Sequence, residues 1–183
     1  GIFLSAREKE LVNQVLDSGR LTYGPMTQKF ESKFASSHGC KHSLFLNSGT
    51  SALQICVAAL KEKYGWQDGD EVLVPSVTFI ATSNVVLHRG LKPGFVDIDP
   101  ITYNMDATKI EEKITPRTRA IIPVHLLGLP CEMNPILDIA RKHSLSIIED
   151  SCGSANRNLI LMTNSNQSGQ FTPVNNQWVT FSS

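Results

Sequence analysis

The spacing of apolar and polar positions changes character near residue 43. Before it the period is helical. Ser5-Ala-Arg-Glu8 has the form of a capping box, in which the Ser hydroxyl and the Glu carboxylate satisfy each other's backbone N–H groups. Leu11, Val12, Val15 and Leu16 follow on one helical face, and Gly19 stops that helix. Leu21-Thr-Tyr-Gly-Pro25 reads as a turn. A second helix carries Phe30 and Phe34 on one face and ends near Gly39.

From residue 43 short apolar runs alternate with longer helical stretches. The runs at 43–46, 71–74, 94–96, 120–124 and 145–148 predict strands. The stretches at 51–63, 79–89, 107–113 and 133–143 predict helices. Strands that are apolar throughout, rather than on alternate residues, are covered on both faces, and this points to a parallel sheet. Strand–helix alternation then gives an α/β fold. No internal repeat interrupts the order.

The rhythm stops at Asp150. Lys+Arg and Asp+Glu number 17 each, yet past Asp150 only Arg157 is charged. Asn, Gln, Ser and Thr dominate there, with two short β-like runs at 159–163 and 178–181. The chain therefore divides into a unit over residues 1–150 and a tail of another kind over 151–183. Its 183 residues suffice for one domain with a real core.

Composition narrows the function classes. At 41% hydrophobic and 19% charged, the chain is expected to be soluble and globular. Equal numbers of acidic and basic residues lack the basic excess of a nucleic-acid- or membrane-binding surface. No apolar run reaches the roughly 18 residues a spanning helix needs, and the start GIFLSAREKELV does not read as a signal peptide. Cys40, Cys56, Cys131 and Cys152 form no CxxC pair and are expected to be free thiols in a reducing cytosol. Neither GxGxxG nor GxxxxGK[ST] occurs, which lowers the odds of a dinucleotide or nucleoside-triphosphate site. No HExxH-type spacing points to a metal.

Several segments offer chemistry. Asn47-Ser-Gly-Thr-Ser51 follows an apolar run and opens a helix. Gly49 admits close approach of a ligand, Thr50 and Ser51 bring hydroxyls, and the free N–H groups of a first helical turn attract an anion. The same residues also suit an ordinary N-cap. Asp150 closes a strand, where ligands of open α/β sheets bind; it suits a ring-nitrogen partner or a loop cap. Phe79 suits either stacking on a planar ligand or the core. Asp97 and Asp99 precede Pro100 and read better as turn residues than as site residues. His125 reads better as a satisfied structural histidine than as a ligand contact.

Taken in order, these segments resemble the DegT/DnrJ/StrS family of sugar aminotransferases. The matching stretches are Leu21-Thr-Tyr-Gly-Pro-Met-Thr-Gln-Lys-Phe-Glu31, Asn47-Ser-Gly-Thr-Ser-Ala-Leu53, Gly69 to Thr82, Phe95-Val-Asp-Ile-Asp-Pro100, Ile114 to His125 and Ile148-Glu-Asp150. The resemblance implies an aspartate-aminotransferase-like large domain (fold type I), with a mainly parallel sheet and flanking helices, acting as a cytoplasmic homodimer. It implies pyridoxal 5′-phosphate as cofactor, a nucleotide-linked keto sugar as substrate and an amino acid as amino donor. It places the cofactor phosphate near Gly49, Thr50 and Ser51, the ring under Phe79, and the ring nitrogen on Asp150. Products of such enzymes enter lipopolysaccharide, other surface glycans or antibiotic sugars.

The resemblance also sets out what this sequence lacks. The family carries a Schiff-base lysine downstream of the Asp, or a histidine in a dehydratase branch. Here no lysine follows Lys142 and no histidine follows His143. Gly153 stands three residues past Asp150, where the family has Gln, His or Glu. The expectation is a truncated chain, inactive alone, whose tail is not family sequence. A sugar dehydratase relative and a non-catalytic binding fragment are the other readings.

Overall fold

A computed structural model describes residues 4–152 and 160–164. Two helices lead: α1 (Ala6–Asp17) and α2 (Pro25–Ser37). The capping box forms as expected. Glu8 N–H donates to Ser5 Oγ, and Ser5 N–H returns a bond to the Glu8 carboxylate. Gly19 takes φ 65°, a left-handed conformation that costs glycine nothing. Pro25 stands at the first position of α2, where a missing N–H is harmless. Phe30 and Phe34 stack with ring centroids 5.5 Å apart. No residue of α1 is buried; its apolar stripe and Met26 shape an open groove.

The α/β unit follows. Its elements are α3 (Gly49–Tyr64), β1 (Glu71–Pro75), α4 (Ala81–Leu87), β2 (Lys92–Val96), β3 (Thr118–Ile121), α5 (Met133–Lys142), β4 (Ser146–Asp150) and β5 (Ile160–Asn164). The sheet order is β2-β1-β3-β4-β5. The first four strands are mutually parallel, and β5 runs antiparallel to β4. That edge strand corresponds to the β-like run near 159–163. The run at 178–181 lies outside the described residues.

Uniformly apolar strands have the expected cause: both faces are covered. Val72, Val74, Ala120, Ile122 and Ile148 point to α3 and α4, where they meet Leu53, Val57 and Val86. Leu73, Ile121 and Ile147 point the other way and pack with Ile136, Leu137 and Ala140 of α5. Successive residues of a strand alternate faces, so an unbroken apolar run fills two layers at once.

Three sequence expectations need correction. Residues 43–46 are not a strand: they lie extended with no partner strand among the described residues, and Leu44 and Phe45 are half exposed. Residues 107–113 are two 3-10 turns, Ala107–Lys109 and Glu111–Lys113, rather than one helix. Only Ile110, between them, is buried, too small an apolar face to hold an α-helix. β3 ends at Ile121 instead of 124, because Pro123 has no N–H to give the ladder.

One ion pair locks the sheet's lower rim. Arg119 on β3 grips Asp70, just before β1, with Nε at 2.8 Å from Oδ2. Gln67 N–H donates to the same oxygen at 3.0 Å. The Arg119 bond, joined by the Gln67 amide and the Arg117 charge, holds the Asp70 carboxyl below its usual value of 3.8. The unfolded chain therefore binds this proton more readily than the folded one. The resulting stability is complete above pH 3.8 and is lost as pH falls through the lower folded-state value. Urea midpoints across that acid range should fall less steeply in Asp70→Asn than in the parent chain.

Candidate functional site

The carboxyl ends of β1, β3 and β4 and the amino end of α3 meet around one cavity of about 210 Å³. Gly49, Thr50, Leu53, Phe79, Thr82, His125 and Asp150 are among its lining residues. Four of the five residues expected from sequence to hold a cofactor thus share one cavity.

Each is positioned by local chemistry. Ser48 caps α3, accepting from Ser51 N–H at 3.1 Å. Gly49 and Thr50 come next, and the first N–H groups of a helix have no intrahelical acceptor. They remain available to an anion. Gly49 is also required sterically: a Cβ there would overlap the Cys152 sulfur. Ser51 does not line the cavity. Its hydroxyl accepts from Ser48 Oγ at 3.0 Å and keeps its own hydrogen to donate.

Asp150 is clamped through its backbone. Its N–H donates to Pro123 O, and its carbonyl accepts from His125 N–H, both at 2.9 Å. The side chain is only 5% exposed. Its Oδ1 accepts from Cys152 N–H at 3.0 Å and its Oδ2 from the Thr82 hydroxyl at 3.3 Å. Among the described residues no cation pairs with it. Leu53, Ala81, Val124, Leu126 and Leu127 give the cavity an apolar wall. An ionised carboxylate left in such a place is costly unless a positive group joins it.

Phe79 is 72% exposed at the cavity, so it is not a core residue. His125 borders the cavity with both ring nitrogens engaged. Nδ1 accepts from Cys131 N–H at 3.0 Å, and Nε2 faces Glu149 at 3.4 Å. Its ring nitrogens are satisfied within the protein while its ring borders the cavity. Asp97 and Asp99 lie elsewhere. Asp99 Oδ1 accepts from the Ile101 and Thr102 amides and closes the expected turn.

Sequence reasoning missed Thr78, Thr82 and Cys152. Thr78 and Thr82 are four apart around the start of α4, a spacing that puts hydroxyls on one helical face; that signal was readable. Cys152 had none. Burial, with the Asp150 charge beside it, pushes its thiol up to about 12, so it is not a thiolate nucleophile at neutral pH. All four cysteines are free. No described helix is long and apolar enough to cross a membrane, and no described cluster of His, Cys, Asp and Glu would hold a metal.

This parallel sheet, with an anion-ready helix terminus facing a buried carboxylate, is the large-domain architecture of fold type I pyridoxal-phosphate transferases. The chain belongs to the DegT/DnrJ/EryC1/StrS aminotransferase family, whose model matches residues 3–159. It is 45% identical to the GDP-perosamine synthase of Caulobacter vibrioides over 149 residues, covering 81% of this chain and 39% of that protein. Among solved structures it resembles NtdA from Bacillus subtilis with bound cofactor PMP (38% identity, TM-score 0.73, 83% of this chain and 35% of that one). It also resembles the E. coli GDP-4-keto-6-deoxy-D-mannose-3-dehydratase with bound hydrated PLP (32% identity, TM-score 0.79, 93% of this chain and 43% of that one). Pyridoxal phosphate is the cofactor to which the family and these structures point. The chain spans 37–41% of the length of the curated relatives it matches.

Proposed function

We propose that this cavity cradles pyridoxal 5′-phosphate, in a protein that moves an amino group from an amino acid to a keto carbon of a nucleotide-linked sugar. The observation that carries the reading is Asp150: a buried carboxylate with no cationic partner among the described residues, in the same cavity as the open amino end of α3. The cofactor supplies both missing charges, a phosphate for the helix and a pyridinium N–H for the carboxylate. When bound, it supplies an electron sink for cleavage of a bond at the amino-bearing carbon.

The chain's own residues divide the work. Gly49 and Thr50 present N–H groups to the phosphate, with the Ser51 hydroxyl as a further donor. Asp150 holds the proton on the ring nitrogen, because a neighbouring negative charge raises the basicity of that nitrogen. Phe79 covers the ring from the cavity mouth, and Leu53, Val124 and Leu126 keep water off it. A homodimer in the cytoplasm, feeding a surface-glycan or antibiotic-sugar route, is the setting we infer.

No lysine is among the residues lining the cavity, so this polypeptide is expected to hold the cofactor reversibly. A sugar dehydratase is the second reading. It is kept in view by the likeness to a dehydratase structure at 32% identity and a TM-score of 0.79. Titrating the chain with pyridoxal phosphate, reducing with borohydride and weighing the intact product tests the cradle. Saturable binding that inorganic phosphate competes away, with no stoichiometric adduct, is the expected result. A single adduct on one lysine would overturn the non-covalent reading, and absence of binding would overturn the cradle itself.

A further inference from the structure

Thr82 is 1% exposed and spends its hydroxyl on the site's carboxylate. An ionised carboxylate only accepts hydrogen bonds, so the 3.3 Å contact to Asp150 Oδ2 takes the one hydrogen Thr82 has. The Thr82 oxygen still lies 2.9 Å from Thr78 Oγ1. Either hydroxyl can donate across that contact; with Thr82 donating to Asp150, it accepts there and Thr78 donates, which gives the order Thr78 to Thr82 to Asp150. The other carboxylate oxygen is held by Cys152 N–H at 3.0 Å.

We propose that Thr78 and Thr82 are positioning residues for the cofactor: their hydroxyls form a one-way hydrogen-bond chain that ends on Asp150 and fixes which edge of that carboxylate faces the ring nitrogen. The inference rests on the cofactor reading above. Two features make the chain effective. Threonine is stiff at χ1, so each hydroxyl has few directions to choose from. A hydroxyl that accepts one bond donates the next more strongly, and the effect is larger in a medium of low polarity. With the Thr82 hydroxyl on one oxygen and the Cys152 N–H on the other, the carboxylate cannot rotate freely, and lone pairs remain on it for a pyridinium N–H. The two threonine methyls meanwhile keep the wall apolar.

The test uses the whole 183-residue chain and cofactor labelled with 15N at the ring nitrogen. Two quantities are read: the dissociation constant, by fluorescence, and the 15N shift, which reports whether the nitrogen is protonated. The parent chain should hold the ring proton to higher pH than free cofactor does. Thr82→Val has nearly the same shape but no hydroxyl. It should bind roughly tenfold more weakly, the usual scale for a hydrogen bond to a charged group, and release the ring proton at lower pH. Thr82→Ser should restore both values. Thr78→Val, which touches the carboxylate only through Thr82, should weaken binding by about two- to threefold.

A merely structural role for Thr82 would leave the nitrogen's protonation untouched. Parental affinity and parental 15N titration in Thr82→Val would overturn the chain, as would Thr82→Ser behaving like the valine variant. Should Thr82→Val fail to fold, the half-buried Thr78→Val variant and Thr82→Ser decide the matter by the same two readings. If the parent chain binds no cofactor, the reading of the site falls first and the chain falls with it.

Discussion

Asp150→Asn is expected to weaken pyridoxal phosphate binding on the order of a hundredfold while changing the stability of the apo chain little. In the apo chain the carboxylate is 5% exposed, held by the Thr82 hydroxyl and the Cys152 N–H with the Cys152 thiol beside it, and faces no cation among the described residues. The amide is nearly isosteric: it keeps one oxygen for the Cys152 N–H, and Thr82 can turn to accept from its NH2 group. In the complex the substitution is felt. The ring nitrogen loses the negative charge that keeps it protonated, together with a charge-assisted hydrogen bond. Chemical denaturation and cofactor titration on the same preparations check both halves. A variant that lost stability and affinity together would mean that Asp150 is a structural residue.

Ile121→Ala is the counterpart on the scaffold. Leu73, Ile121 and Ile147 are register partners across β1, β3 and β4. All three are fully buried and face α5. Ile121 is the middle of that row, on a strand with neighbours on both sides. Removing its branched tip leaves a hole that the flanking strands cannot close without breaking ladder hydrogen bonds. The expected cost is about 3 kcal/mol, read as a lower urea midpoint with an unchanged slope. Ile121 points away from the cavity, so cofactor affinity measured below the transition should change little. An equal loss of affinity would mean that the scaffold and the site do not separate in this way.

The contrast between these two positions explains what was legible in the sequence. β1 and β4 could be read because burial on both faces makes their central residues, Val72 to Val74 and Ile147 to Ile148, apolar without alternation, in runs short enough to exclude a helix. Residues 43–46 carry the same pattern, yet they find no partner strand among those described. An apolar run records the need for cover and says nothing of where the cover comes from. The stretch from Ala107 looked helical by length, but its single buried side chain, Ile110, supports only tight turns.

In the site, Gly49, Thr50 and Asp150 announce themselves by where they fall, at the start of a helix and the end of a strand. Phe79 was ambiguous until its exposure was known. The Thr78 and Thr82 pair was readable from its spacing, but its partner was not, because Asp150 is 68 residues from Thr82. Only the sheet order, which places β4 near the start of α4, brings hydroxyl and carboxylate together. Cys152 is the same case. Nothing in its neighbours along the chain foretells that it packs against Gly49.

The most direct measurement is a crystal structure of the chain grown with pyridoxal phosphate, with the phosphorus located by its anomalous signal. The expected result is a phosphate on the Gly49 and Thr50 N–H groups and a ring nitrogen within hydrogen-bond distance of the Asp150 carboxylate, under Phe79. Cofactor bound elsewhere, or bound here with its ring nitrogen turned away from Asp150, would contradict it.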